Sequence, residues 1–217
     1  MHTVSITQVQ QIGTGVAIIL FPLIFVFAFL AHPRLLKPRL LPPAEIIRRA
    51  RGSKVLELGH SLVLLCTALL IAVAIYFMEL LSHGAAAWAG FAGGLLAILG
   101  AILLAADKGA LCLTMSALDH VSDDEFSAMM PGLLAIFNKK GWMVLLWGML
   151  ALPAGFALLA LGLLQVSALP VWQSVLFLIG VLFVAVPDGL EIINLSASIL
   201  MAMALIPYGI RLIAAAA

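Results

Sequence analysis

The sequence predicts an all-α integral membrane protein, a single domain of six transmembrane helices in a compact bundle. Three observations carry this expectation. Of 217 residues, 65% are hydrophobic and 10% charged, whereas a soluble domain carries about 25% charged and about 45 to 50% apolar residues. The mean hydropathy is +1.23. The apolar residues also gather into runs of roughly 20, the length a helix needs to cross a hydrocarbon core about 30 Å thick while satisfying its own backbone groups where water is absent.

The runs fall at 12–31, 55–81, 88–111, 142–164, 171–187 and 190–210. The first follows "MHTVSITQVQQ", which has no Lys or Arg, and it has no A-x-A site. A cleaved leader has a basic start and a shorter core, so this run is expected to remain as a span. The second opens with "VLELGHS". The third carries Gly90, Gly94, Ala97 and Ala101, beginning with G-x-x-x-G, and the fourth repeats Gly148, Gly155 and Gly162 with Ala151 on the same side. Lipid tails are as apolar as leucine, so helices in a membrane associate where small side chains let backbones approach. The third and fourth helices are therefore expected to pack together, with a homodimer seam as the other use of such faces. Pro22 and Pro153 lie inside the first and fourth runs. The fifth and sixth share one apolar stretch about twice the length of a single crossing, and "PDG" at 187–189 supplies the turn.

Charge fixes the expected orientation. Arg34, Lys37, Arg39, Arg48, Arg49, Arg51 and Lys54 crowd the first connection, and Lys108, Lys139 and Lys140 border the third. Six crossings place both connections on one side. Excess Lys and Arg mark the cytoplasmic face, so the termini are expected outside the cytoplasmic (inner) membrane, where Arg211 is the exception. Trp88 and Trp172 fall at outer helix ends and Trp142 at an inner one, as an aromatic belt requires. The Pro-rich, basic first connection reads as an interfacial segment meeting anionic lipid. In the third, Ser122 and Glu125 fit a capping box, and Phe126, Met129, Met130, Leu133, Leu134 and Phe137 repeat at helical spacing. These predict an amphipathic helix over 123–137 on the inner surface, kinked at Pro131.

Several function classes drop out. A net charge of +1 gives no basic stripe for nucleic acid. Cys66 and Cys112 form no CxxC pair and read as small apolar residues in apolar surroundings. The chain has no G-x-S-x-G, no Walker loop and no H-E-x-x-H.

What remains are polar side chains inside apolar runs, where they are costly and mark functional candidates. "VAVPDGLEIINLSAS" holds Asp188, Glu191, Asn194 and Ser198, and the second run places Glu57, His60, Ser61 and Thr67 on one helical face. Asp107 and Lys108 close the third run, with Asp119 and His120 beyond it. All lie toward the basic side, so a shared polar pocket is expected between the second, third and sixth helices.

Three functions compete for it. The leading one is binding or translocation of a small solute or ion, with Glu191 and His60 central and Glu57, Asp188 and Asn194 supporting. The second is a membrane-embedded enzyme holding a metal, haem or lipid-type ligand with the same residues. Glu57-x-x-His60 is one unit of a di-iron pattern that normally uses two. Asp188 and Glu191 would complete a mononuclear nitrogen and oxygen set, and His60 with His120 would suit haem. The third is an accessory subunit of a larger complex, with Glu191 paired to His60 between helices. In structural terms Asp107 and Lys108 read as an interfacial ion pair, Asp119, His120, Asp123 and Asp124 as solvated loop, and His2, His32 and His83 as solvated ends. The cofactor, if any, and the substrate stay open.

Overall fold

The structure is a computed structural model that describes residues 5–32, 35–36, 39–139, 142–184, 186 and 190–216, with the side chains of 137–147 left aside. Among the described residues it is all helix. The first apolar run forms α1, Ile6–Leu30. Ser5 caps it reciprocally: its Oγ accepts from the Gln8 N–H at 3.2 Å, and its own N–H donates to Gln8 Oε1 at 2.8 Å. The basic connection contains α2, Pro43–Ala50, which opens with Pro43 at its first position, where the missing N–H costs nothing.

The next apolar run forms α3, Lys54–Leu80, and a 3₁₀ turn over Gly84–Ala86 leads into α4, Ala87–Leu118. At 32 residues, α4 is about 48 Å long. It continues well past the expected end at 111, so Asp107 and Lys108 lie within a helix and not at its boundary. Then follow α5, Asp123–Lys139, α6, Trp142–Gln165, α7, Val171–Phe183, and α8, Glu191–Ala214. The capping box of α5 is present: the Ser122 N–H donates to Glu125 Oε2 at 2.8 Å, and the Glu125 N–H donates to Ser122 Oγ at 3.3 Å. Pro131 lies inside this helix.

Among the described residues, five segments are long and apolar enough to cross a bilayer: Ile6–Leu30, Lys54–Leu80, Gly84–Leu118, Gly148–Gln165 and Glu191–Ala214. Their length and composition are consistent with an integral membrane protein. The fifth apolar run behaves differently from the expectation of a span over 171–187. Its helix α7 has 13 residues, about 20 Å, and Val184 closes it as C-cap. Asp188 and the rest of "PDG" lie outside the described residues.

Neighbouring contacts run α1 to α3, α3 to α4, α4 to α6, α6 to α7, α7 to α8, and α8 back to α1, so the six helices close a ring. Aromatic side chains fill its middle. Phe21 of α1 stacks on Phe156 of α6 with centroids 6.3 Å apart, Phe156 meets Phe177 of α7 at 6.0 Å, and Phe177 meets Phe77 of α3 at 6.0 Å. Phe21, Phe77 and Phe177 are fully buried. The centre is thus a packed apolar plug.

The small residues act where the sequence expects them, with a changed division of labour. Gly155 of α6 lies against the Gly93 and Ala97 backbone of α4, and Gly100 of α4 against Leu152 of α6. By contrast Gly90 and Gly94 face Leu81 and Met78. The α4–α6 seam therefore runs along Gly93, Ala97 and Gly100, one helical step round from the G-x-x-x-G pair.

The chain alternates in direction around the ring, so α1, α4 and α7 end where α3 and α8 begin. This end also carries Arg48, Arg49, Arg51 and Lys54 and is called the basic end below. At the opposite end the Gln8 side-chain amide donates to the Ala216 carbonyl at 3.1 Å, which ties the first helix to the end of the last. Trp88 and Trp172 are exposed at that end, while the side chain of Trp142 lies outside the described set.

Candidate functional site

Helix ends set the site. Glu191 is the first residue of α8, where the free N–H groups and the helix dipole favour negative charge. His32 follows the C-cap of α1, where the dipole favours positive charge. The two meet: His32 Nδ1 lies 3.5 Å from Glu191 Oε1, with 14% and 8% of their side chains exposed. His60, in the second turn of α3, stands edge-on to His32 with ring centroids 5.8 Å apart, and Phe29 covers His32 from α1 at 6.0 Å. Gly59 faces Ala28 of α1 across this contact, where even an added Cβ would sit at an ordinary 3.5 Å. Three ionisable side chains from three helices thus share one partly buried place at the basic end.

His32 is the residue that the sequence reading left among the solvated ends. It follows "FAFLA" directly and precedes a proline, so the usable signal was its position at the end of a span, at the depth of His60. His120, by contrast, is exposed beyond α4, and the imidazole beside His60 is His32.

The other candidates are engaged elsewhere. Glu57 pairs with Lys54 at 3.0 Å along its own helix. Asn194 is buried and clamps the chain between α7 and α8: its Oδ1 accepts from the Val186 N–H at 3.1 Å and its Nδ2 donates to the Val186 carbonyl at 3.2 Å. One side-chain amide thereby satisfies both backbone groups of Val186, a residue outside any helix. Ser198 donates to the Asn194 carbonyl at 2.8 Å, and Thr67 to the Leu64 carbonyl at 2.7 Å, so both are satisfied within their own helices. Ser61 contacts Cys112 at 3.4 Å. Asp107 and Lys108 pair at 3.0 Å. Asp188 lies outside the described residues. Among those described, no three His, Cys, Asp or Glu side chains come close enough to hold a metal ion.

Around this cluster α2 and α5 form a platform. Arg51 is its fastener: Nε donates to the Leu118 carbonyl at 3.1 Å, Nη2 to the Val121 carbonyl at 2.6 Å and Nη1 to Asp123 at 2.7 Å, while the guanidinium lies 4.5 Å from the centroid of the Phe126 ring. Asp119, expected as solvated loop, is a second tie. It accepts from the Gly52 N–H at 2.6 Å and pairs with Lys54 at 2.7 Å. Gly52 has φ +75°, which a side chain would resist. The Lys54 ammonium, followed by the Gly52 N–H, holds the Asp119 carboxyl below the usual carboxylate range. The Glu125 carboxyl is likewise held low by the Ser122 N–H and then its hydroxyl.

Compared with protein-family models, characterised proteins and solved structures, the chain matches none. The functional reading therefore rests on the site alone.

Proposed function

We propose that this protein crosses the membrane six times and binds a small ion at the basic end of its bundle, a proton held between Glu191 and His32 with His60 beside them. By the positive-inside rule that end faces the cytoplasm. The observation that carries the reading is the contact of buried Glu191 with His32, with His60 packed behind it. Ionisable groups within spans are the usual markers of ion and proton paths. Glu57 adds a carboxylate near the same end of α3, and Asn194 holds the chain through Val186 ahead of α8. Translocation requires the Phe21, Phe77, Phe156 and Phe177 plug to part, so binding and release at the basic end are separated from the opposite end by a gated step.

The test is proton flux into liposomes containing the purified protein, driven by a potassium diffusion potential and read with an internal pH dye. The wild type should exceed empty liposomes, and Glu191→Gln, eluting and melting like the wild type, should lose most of that flux. Full flux in folded Glu191→Gln would remove Glu191 from the path. No flux in the wild type would remove translocation.

A further inference from the structure

The end opposite the basic cluster holds a second set of polar groups that the proposed function does not use. Gln173 and Ser174, in the first turn of α7, are 0% and 1% exposed. Arg211 of α8 donates from Nη2 to Gln173 Oε1 at 2.9 Å. That bond fixes the amide: a guanidinium only donates, so the oxygen must face it and Nε2 must point away. Gln173 Nε2 and Ser174 Oγ then have no hydrogen-bond partner among the described residues. Ser174 differs in this from Thr67, Thr114, Ser196 and Ser198, each of which donates to a carbonyl of its own helix.

Buried polar groups without partners are costly, and native structures satisfy them with protein, water or ligand. The groups here are of one kind. Gln173 Nε2 offers two N–H donors and Ser174 one O–H. Arg211 adds positive charge and forms no ion pair among the described residues. The N-cap of α7, Pro170, supplies no side-chain cap, which leaves the positive end of that helix dipole open to a negative group. The Arg211 guanidinium lies 5.9 Å from the centroid of the Tyr208 ring, whose hydroxyl meets that of Tyr76 at 2.5 Å.

We infer that Arg211, Gln173 and Ser174 form a binding site for an oxyanion, a phosphate or carboxylate, at the end of the bundle opposite His32, His60 and Glu191. The oxyanion accepts from Gln173 Nε2 and Ser174 Oγ and offsets the Arg211 charge. It belongs either to a soluble anion or to a phospholipid headgroup in the outer leaflet. The site is independent of the ion-binding reading above.

The experiment uses the full chain in detergent. Sodium phosphate and sodium acetate are titrated against sodium chloride at matched ionic strength while the melting temperature is followed, and native mass spectrometry weighs whatever stays bound. A saturable rise of roughly 5 °C with either anion, absent in Arg211→Gln and in the conservative Ser174→Ala, assigns the site to soluble anions. No rise, with a phospholipid retained by the wild type and lost from both variants, assigns it to a headgroup. No rise and no retained phospholipid, or a response equal in wild type and variants, overturns the site and leaves the two orphan groups to buried water.

Discussion

Replacing Gly155 by alanine tests whether the α4–α6 seam is set by backbone contact. The added Cβ would lie 2.6 Å from the Gly93 carbonyl oxygen and against the Ala97 backbone N–H, whereas carbon and oxygen ordinarily approach to about 3.3–3.6 Å. Both obstacles are backbone and cannot swing aside, so the helices must part by about 0.7–1 Å. A gap of that size forfeits about a quarter to a half of each contact energy of about 0.1–0.2 kcal/mol. Over roughly 50 atom pairs across the seam, the loss is about 2–4 kcal/mol. Alanine returns about 1 kcal/mol of helix propensity, leaving a net cost of about 1–3 kcal/mol, in line with overpacking elsewhere. That corresponds to a melting temperature lower by roughly 3–10 °C for a chain of this size. Gly109→Ala is the matched control on α4, because a Cβ there meets nothing within 4 Å and should gain about 1 kcal/mol from propensity. The assay is thermal unfolding of the detergent-purified variants at one scan rate, read as loss of the monodisperse peak. Equal melting temperatures for Gly155→Ala and Gly109→Ala would refute the close-contact argument.

Three further outcomes follow from named contacts. Asn194→Leu leaves the Val186 N–H and carbonyl unpaired and should destabilise by about 1–3 kcal/mol for each group left buried without a partner; an unchanged melting temperature would mean that water replaces the amide freely. Arg51→Lys removes the guanidinium fork that binds the Leu118 and Val121 carbonyls, because lysine presents a point charge in its place. The α2–α5 platform should then loosen, and cleavage after Glu45 by a glutamate-specific protease should be faster than in the wild type. Asp119 gives a pH dependence. Its carboxyl is held low when folded, so its contribution is present above the unfolded value of about 3.9 and is lost as pH falls through the lower folded value. The melting temperature of Asp119→Asn should accordingly fall less than that of the wild type below about pH 4, and parallel curves would contradict the tie to Lys54 and Gly52.

Much of the candidate site was legible because hydrocarbon penalises polar groups wherever they fall. Glu191 and His60 stood out in apolar runs, and both lie in the partly buried cluster with His32. The third member escaped, since His32 sits just past a span, where a histidine facing water and one facing Glu191 look alike. Asn194 stood out equally, yet its amide serves the Val186 backbone. Gln173, Ser174 and Arg211 gave only faint signals, two polar residues in "VWQSVLF" and one basic residue away from all the others.

The sequence by itself determined what depends on composition and period: a helical membrane protein, the positions of its long apolar helices, the capping box before α5, and small-residue faces on α4 and α6. Those features follow from local rules, the length of hydrocarbon a helix must cross and the groups its ends must satisfy. Only the tertiary structure decided that the six helices close a ring, that phenylalanines from α1, α3, α6 and α7 plug its centre, and that Gly93 and Gly100 carry the seam with α6 while Gly90 and Gly94 face Leu81 and Met78. It also decided that His32 lies against Glu191 and that Arg211 reaches Gln173. Those pairings join residues far apart in the chain, and whether two polar faces meet depends on how each helix is rotated and how far it extends, which periodicity along a single helix leaves open.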